Sequence, residues 1–340
     1  MNPAEVQQRL AAFIARQVDA DDVQIEGLRR VPGGASRETW SFDASYQQNG
    51  QAVCRALILR RDPGATSVQT NRREEFLLLQ AAHASGVPVP RVFWLGDETE
   101  SLGACFFIME RIDGETIARR LLRDEAYAPA RRVMTRELGA ILARIHRIDL
   151  AAHHLDFLPK PPPGESPAQA ELDRYEQIFR GLAPDPHPAF ELAFRWLRAR
   201  LPSGARLALV HGDFRIGNVI FGAEGTRSIL DWELAHLGDP MEDLGWMCVR
   251  SWRFGSDDKP VGGIGMRDEF FAAYADAGGG HVDPERVRFW EVFGNLKWAT
   301  ITVSQAHTYL SGGVRSVELA SLGRRTAEME LELLNLLEGT

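Results

Sequence analysis

Short hydrophobic runs alternate with polar positions through the first third of the chain, and turns separate them. This alternation predicts β-strands, because successive side chains of a strand point to opposite faces. Asn49-Gly50 lies between two such runs and is a strong signal for a tight hairpin. The predicted strands cover residues 23–31, 39–46, 52–60, 91–95 and 104–109. They describe an antiparallel sheet, with a predicted helix over residues 70–85 inserted after its third strand.

After residue 115 the hydrophobic positions recur every three or four residues. This spacing is typical of amphipathic helices that bury one face. The predicted helices cover residues 135–146, 168–179, 188–201, 267–275, 284–309 and 316–337. The two patterns together predict an α+β protein, in which a small antiparallel sheet precedes a largely helical region.

The segment 209–221 interrupts the helical pattern with two hydrophobic runs around a polar loop. The loop carries His211, Asp213 and Asn218, and a further acid, Asp231, ends the next hydrophobic run. Runs of this kind predict short strands joined by an exposed turn. Such a hairpin brings two carboxylates and an amide oxygen together. These are ligands that Mg²⁺ accepts, and phosphoryl transfer from ATP requires such a group of oxygens.

The spacing His211-x-Asp213-x-x-x-x-Asn218 is that of the protein kinase catalytic loop, and Asp231 stands where kinases carry a metal-binding aspartate. Gly212 replaces the kinase arginine, and Asp-Trp-Glu replaces Asp-Phe-Gly. With these changes the motifs resemble the aminoglycoside and choline phosphotransferase family. Within that family the chain is most similar to bacterial phosphotransferases that resemble the kinase-like module of some acyl-CoA dehydrogenase fusion proteins. The resemblance extends over residues 31–252.

The resemblance implies a protein-kinase-like bilobal fold. Residues 1–109 would form an N-terminal nucleotide-binding lobe, residues 110–114 a hinge, and residues 115–340 a helical catalytic and substrate lobe. ATP would lie between the lobes, with its adenine bonded to backbone groups of about Glu110 and Ile112.

The resemblance also assigns roles to the motif residues. Asp213 would orient the attacking hydroxyl and accept its proton, and Asn218 and Asp231 would bind Mg²⁺. His211 would support the loop by hydrogen bonding. Glu233 either approaches the metal or acceptor or has a structural role. Another acid, Asp243, is expected to be structural and to hold the catalytic loop by capping or pairing.

Candidate phosphate contacts lie in the N-terminal part. Gly33, Gly34 and Ser36 fall in the first predicted hairpin, where glycines let the backbone approach phosphate and a hydroxyl can donate. In the family, the third strand carries a lysine that binds the phosphates. Here that strand ends in Arg60, and the first lysine of the chain is Lys160.

Arg60 therefore takes the place of the lysine, or nothing does. Arginine is always charged and its forked donors can hold phosphate. Arg61, on the other face of the strand, is the alternative. Glu75, in the predicted helix, is the expected partner of Arg60, and the adjacent Glu74 is the alternative partner.

Composition and charge limit the classes of function. The chain has 340 residues, of which 44% are hydrophobic and 25% charged, as is ordinary for a soluble globular protein. A net charge of -8 disfavours nucleic acid as a partner. Three widely spaced cysteines predict neither a disulfide framework nor a zinc site and suit the cytoplasm. No hydrophobic run is long enough to span a membrane, and the N-terminus predicts an amphipathic helix instead of a signal peptide. The oligomeric state stays open.

The expected acceptor is a hydroxyl of a small molecule. Gly212 replaces the arginine that reads a phosphorylated activation loop in protein kinases, and no Ala-Pro-Glu segment follows Asp231. Arg215, which we count among the catalytic residues, lies in the motifs, and Arg250 and Arg253 lie near them. If these arginines face the acceptor instead of solvent, they favour a neutral or anionic molecule, such as a hydroxyacyl or sugar-like metabolite, over a cationic aminoglycoside or choline.

Alternatives to this enzyme stay open. The chain could be an aminoglycoside-modifying resistance enzyme. It could also be a pseudokinase that binds nucleotide without transfer, which the absence of an N-terminal lysine favours. A scaffold without nucleotide is the third alternative, and the complete set of Asp213, Asn218 and Asp231 disfavours it.

Overall fold

The computed structural model of the protein describes residues 1–31, 38–61, 72–96, 102–182, 185–314 and 316–338. The chain forms two compact units, Met1–Asp113 and Gly114–Thr340. Across the described ranges, every helix is too short or too polar to cross a lipid bilayer.

The first unit contains a five-stranded sheet with the order β1-β2-β3-β5-β4. Its strands are β1 (Val23–Val31), β2 (Glu38–Gln48), β3 (Gln51–Arg61), β4 (Val92–Gly96) and β5 (Phe106–Glu110). All neighbouring strands are antiparallel, as predicted. Asn49 and Gly50 join β2 to β3 with φ values of 51° and 73°. Both values are left-handed, as a two-residue hairpin that matches the twist of its strands requires.

Two helices belong to the first unit, α1 (Pro3–Val18) and α2 (Arg72–Ala84). The side chain of Asn2 accepts a hydrogen bond from the Glu5 N–H at 2.9 Å and so caps the start of α1. The apolar face of α1 joins the core of the sheet, and the ring of Phe13 lies 4.8 Å from that of Phe106, edge to face.

The second unit is mostly helical, as predicted. Its helices are α3 (Ala118–Arg123), α4 (Ala128–Ile145), α5 (Pro167–Gly181), α6 (Pro188–Arg198), α7 (Met241–Cys248), α8 (Arg267–Tyr274), α9 (Pro284–Leu310), α10 (Val317–Gly323) and α11 (Thr326–Glu338). Four short strands form two antiparallel pairs, β6 (Ala208–Val210) with β9 (His236–Gly238) and β7 (Val219–Gly222) with β8 (Gly225–Ile229).

The helix α9 passes through the core of the second unit and closely approaches α7. A Cβ added at Gly245 of α7 would lie 2.7 Å from the backbone N of Glu291 in α9, so only glycine allows this approach. The contact places one face of α9 beside the polar residues at the start of α7. The candidate site described below depends on this packing.

One predicted helix, residues 316–337, is wrong as a single element. The structure has two helices there, α10 and α11, with the break just after Gly323. A Cβ at Gly323 would lie 2.6 Å from the Cβ of Ala306, so the glycine allows α10 to pack tightly on α9. Glycine also disfavours continuation of the helix. The apolar spacing continued across the break because both helices bury a face.

Candidate active site

The two short strand pairs of the second unit position the central motif. β6 leads into the loop that carries Asp213, and the hairpin of β7 and β8 leads to Asp231. The N–H of Leu230 donates to the carbonyl oxygen of Asn218 at 2.8 Å. Because Asp231 is the residue after Leu230, this bond sets it beside Asn218. The structure therefore brings Asp213 and Asn218 into direct contact and places the backbone of Asp231 next to Asn218.

Three donors fix the carboxylate of Asp213. Asn218 Nδ2 lies 2.6 Å from Oδ2, while Arg215 Nε and Trp246 Nε1 lie 3.0 Å and 2.9 Å from Oδ1. Asn218 Nδ2 also lies 3.0 Å from the carbonyl oxygen of Asp213. Because these bonds use the nitrogen of the Asn218 amide, its Oδ1 points away from Asp213.

His211 connects the two acid-bearing segments. Its Nδ1 accepts the backbone N–H of Asp213 at 3.2 Å, and its Nε2 donates to the carbonyl oxygen of Leu230 at 3.1 Å. These bonds require a neutral ring with its proton on Nε2. Burial lowers the pKa of His211 below its usual value and so favours that neutral form.

Asp243, at the start of α7, holds the backbone of the loop. Its Oδ2 accepts the N–H of His211 at 2.7 Å, and its Oδ1 accepts the N–H of Gly212 at 2.9 Å. His146 Nε2 also lies 3.0 Å from Oδ2. Burial alone would raise the pKa of Asp243, but the hydrogen bond and charge of His146 and the bonds from the loop hold it below the usual value.

Steric crowding explains why the motif has glycine at position 212. Gly212 has a φ of 78°, and a Cβ there would lie 2.3 Å from the carbonyl oxygen of Leu234. A left-handed backbone in so tight a place requires glycine. Asp231 also has left-handed dihedrals, φ 61° and ψ 64°, which are unusual for a residue with a Cβ.

In the first unit Arg60 is paired with Glu75. Arg60 Nη1 lies 2.6 Å from Glu75 Oε1, and Arg72 hydrogen-bonds the other carboxylate oxygen, Oε2. Of the two acids proposed for Arg60, the structure thus pairs it with Glu75. Arg61 binds elsewhere, with Nη1 2.6 Å from Glu38 Oε2 and Nε 2.7 Å from the carbonyl oxygen of Leu102.

The structure describes only some of the other predicted nucleotide contacts. Gly33, Gly34 and Ser36 lie outside the described residues. The N–H of Glu110 donates to the carbonyl oxygen of Arg91, the residue before β4, at 2.8 Å. A contact between Glu110 and a purine would therefore use the carbonyl oxygen of Glu110.

Two of the three arginines near the motifs have structural partners. Arg250 binds Asp257 and Glu332, and Arg253 binds Glu291 and the carbonyl oxygen of Cys248. Only Arg215 of the three contacts a motif acid, and its guanidinium also lies 4.8 Å from the centre of the Trp252 ring. Glu233 is exposed.

A buried ionic cluster lies behind the loop. Glu171, His236 and Glu242 present possible ligand atoms within 4.8 Å of one another. However, His236 Nδ1 lies 2.9 Å from the carbonyl oxygen of Leu234, and Nε2 lies 3.1 Å from Glu242 Oε2. Both partners are acceptors, so the ring is an imidazolium and has no lone pair for a metal. Lys297 Nζ, 3.3 Å from Glu242 Oε1, adds a second cation.

Sequence reasoning did not find the contacts of Trp246 and Lys297. Trp246 resembles the other apolar residues of α7, and nothing in the pattern shows that its N–H meets Asp213. A signal for Lys297 did exist, because the chain has only three lysines and this one lies in an otherwise apolar stretch.

Comparison with known proteins identifies the family. Residues 27–290 match the family model described as the phosphotransferase enzyme family. The chain belongs to this family. Mouse (Mus musculus) acyl-CoA dehydrogenase family member 10 is 30% identical over 329 residues, which are 92% of this chain and 30% of that protein. The chain spans 30%, 37% and 41% of the length of three relatives that it matches.

Solved structures show the same fold. A crystal structure from Ralstonia eutropha, of a protein assigned to the aminoglycoside phosphotransferases, has a TM-score of 0.78 and 22% identity over 98% of both chains. Aminoglycoside phosphotransferase APH(4)-Ia, in a ternary complex with AMP-PNP and hygromycin B, has a TM-score of 0.59 and 17% identity over 97% of both chains. The predicted α+β, protein-kinase-like fold is confirmed, and so is the family resemblance.

The imidazolium of His236 predicts a pH-dependent stability of this phosphotransferase. Burial alone would lower the pKa of His236, but the charge and hydrogen bond of Glu242 raise it from 6.5 to about 9. A raised pKa stabilises the fold fully below pH 6.5, and this contribution is lost as the pH rises through about 9. Between these values we expect the free energy of unfolding to fall by up to about 1.4 kcal/mol per pH unit.

Denaturant unfolding between pH 6 and 10 measures this slope. The variant His236→Gln should lose most of it, whereas His281→Gln, at an exposed histidine, should keep it. A wild-type curve that is flat in this range, or an unchanged slope in His236→Gln, would show that His236 is not an imidazolium in the folded protein.

Proposed function

We propose that the chain transfers the γ-phosphoryl group of ATP to a hydroxyl of a small molecule, with Mg²⁺ as the metal. The orientation of Asn218 carries the proposal. Its amide nitrogen donates to Asp213, so its Oδ1 is directed away from that acid. The nitrogen of this amide bonds the carboxylate that would accept a proton, and its oxygen would bind the metal.

The donor set fits Mg²⁺. Asn218 Oδ1 and the carboxylate of Asp231 are hard oxygen ligands, and Mg²⁺ is commonly held by one or two carboxylates together with phosphate oxygens. When bound, the ion would neutralise charge on the phosphates. His211 donates to the carbonyl oxygen of Leu230 and so fixes the backbone just before Asp231. This hydrogen bond supports the proposed placement of the metal ligands.

Asp213 would act as the base. Within the described part of the chain, Oδ1 accepts from two donors and Oδ2 from one, so Oδ2 retains a lone pair for a proton. As the acceptor oxygen bonds to the γ-phosphorus, the bond from that phosphorus to the leaving ADP oxygen breaks, and the hydroxyl proton passes to Asp213. Arg215 lies beside this carboxylate and would contribute positive charge where phosphate charge develops.

In the first unit, Arg60 would bind the phosphates in place of a lysine. Glu75 positions its guanidinium, and Arg72 brings a second positive charge to the same acid. We also propose that Gly33, Gly34 and Ser36 contact the phosphates, and that the adenine meets the backbone of Glu110 and Ile112.

The acceptor we propose is a neutral or anionic hydroxyl compound. Among such compounds we favour a hydroxyacyl compound. Two observations support this choice. Arg215 places a cation at the predicted base, which disfavours a cationic acceptor. The relatives that span most of this chain are named as acyl-CoA dehydrogenase family members, although the chain matches only part of their length.

The variant Asp213→Asn should lose transfer, because an amide cannot accept the hydroxyl proton. We expect the turnover number to fall roughly 10²–10⁴-fold while ATP affinity stays near that of the wild type. The turnover number comes from a coupled ADP assay and the affinity from thermal-shift titration with Mg²⁺ and ATP. Asp276→Asn, at an exposed acid outside the motifs, is the control and should keep full turnover. Turnover retained in Asp213→Asn would remove Asp213 from the mechanism.

The variant Arg60→Met should weaken ATP binding at least roughly tenfold, since a charge-assisted hydrogen bond to phosphate is lost. Glu75 keeps Arg72 as its partner, so the change does not leave a buried acid uncompensated. Arg55→Met on the same strand, where the guanidinium lies over the Phe93 ring, is the control. Equal ATP affinity in Arg60→Met and wild type would show that Arg60 does not replace the lysine. ATP binding without transfer in the wild type would instead favour a pseudokinase.

A screen for ATP-dependent addition of one phosphate identifies the acceptor. We expect the mass gain in hydroxyacyl or other neutral and anionic hydroxyl compounds and none in kanamycin or hygromycin B. Protein carrying Asp213→Asn is the matched control for each compound. Growth on a panel of aminoglycosides provides the converse test. Clear resistance that depends on Asp213 would favour the aminoglycoside-modifying enzyme.

A further inference from the structure

Lys297 is a buried cation in the middle of α9, and its side chain is 1% exposed. The other lysines of the chain, Lys160 and Lys259, are exposed. In an arginine-rich sequence, a lysine at a buried position indicates a site that requires a compact ammonium with three donors. Burying a charged group costs free energy unless hydrogen bonds and opposite charges compensate for the lost water.

The first contact is to the backbone that carries Asp213. Lys297 Nζ donates to the carbonyl oxygen of Gly212 at 2.9 Å. That carbonyl belongs to the same peptide group as the N–H of Asp213, which donates to His211 Nδ1 at 3.2 Å. The peptide group before Asp213 is therefore held at both ends, by Lys297 and by His211.

The second contact reaches the side chain of Asp213 through Trp246. The ammonium of Lys297 lies 4.7 Å from the centre of the Trp246 ring, a favourable cation–π distance. The indole N–H of the same residue donates to Asp213 Oδ1 at 2.9 Å. Lys297 thus packs on one of the three groups that fix the carboxylate.

A carboxylate and an aromatic ring lie on different sides of the ammonium. Glu242 Oε1 lies 3.3 Å from Nζ, and the other oxygen of Glu242 faces the imidazolium of His236. The Tyr175 ring lies 5.6 Å from Nζ on another side. Burial alone would lower the pKa of Lys297, but Tyr175 and Glu242 raise it above its usual value, so the side chain is charged.

We infer that Lys297 is a positioning residue for Asp213, acting on its peptide group directly and on its carboxylate through Trp246. The inference rests on the proposed function, in which Asp213 is the base. A mere charge partner for Glu242 would not have to reach Gly212, because His236 already neutralises that acid.

The variant Lys297→Met tests the inference. Glu242 keeps His236, so we expect a folded protein that binds ATP with the affinity of the wild type. The turnover number should fall about 100-fold, since a small displacement of a reacting group can have that effect, while the KM of the acceptor changes little. Lys297→Arg restores a donor for the Gly212 carbonyl and should recover part of the loss. Full turnover in Lys297→Met would overturn the inference.

Two further variants separate positioning from general damage. Arg286→Met removes a cation of the same helix that binds Asp239 and the carbonyl oxygen of Ser203, and it should keep wild-type turnover. The double variant Lys297→Met with Glu242→Gln removes both charges of one ion pair. If it regains full turnover, the defect came from unbalanced charge and the inference fails. A turnover loss equal to that of Lys297→Met supports positioning.

A spectroscopic readout does not depend on transfer. In protein labelled with nitrogen-15 tryptophan, the indole resonance of Trp246 is assigned by its loss in Trp246→Phe. We expect Lys297→Met to shift this resonance and to speed exchange of its N–H, whereas Arg286→Met leaves both unchanged. If the wild type transfers no phosphate, the proposed function fails but this result still decides the role of Lys297. An unchanged resonance and exchange rate in Lys297→Met would overturn the inference even if the wild type is active.

Discussion

The buried carboxylate of Asp243 is the interaction on which the site depends. It accepts the N–H groups of His211 and Gly212, which would otherwise be unsatisfied donors in the buried interior. Because the acid lies at the start of α7, it ties the loop that carries Asp213 to a helix of the core. With the backbone fixed there, the left-handed Gly212 directs the chain so that Asp213 follows in one orientation.

The polar groups of the site form one connected network of hydrogen bonds. His211 bridges the backbones of Asp213 and Leu230, and Asn218 bridges the side chain of Asp213 and the end of β8. A neutral histidine suits this position, because its ring has one donor and one acceptor and both are used. Each bridge joins the loop after β6 to the hairpin of β7 and β8. The same short segments therefore position both Asp213 and Asp231.

Much of this arrangement could be predicted from the sequence. The strands of the first unit follow from alternation and from Asn49-Gly50, which are local signals. The grouping of Asp213, Asn218 and Asp231 followed from motif spacing, because a hairpin leaves few ways to place the three residues. Glu75 was distinguished from Glu74 only by the structure, since neighbouring residues of a helix differ in direction and the sequence does not fix the rotation of the helix about its axis.

Other features could not be predicted because they depend on contacts between distant segments. Lys297 and Trp246 meet because Gly245 lets α7 and α9 approach closely, and no local pattern encodes that crossing. The break between α10 and α11 also lies at a contact between distant segments, because the apolar spacing continues through Gly323 while that glycine packs closely on Ala306 of α9. Sequence periodicity reports which face is buried, but not what the face meets.

The backbone of Asp231 has a consequence for how this position can vary. A left-handed conformation is unfavourable for a residue with a Cβ, and glycine would adopt it without strain. Replacement by glycine would therefore ease the local conformation while removing the carboxylate. In the function we propose, the aspartate supplies a metal-binding carboxylate at the cost of this backbone strain.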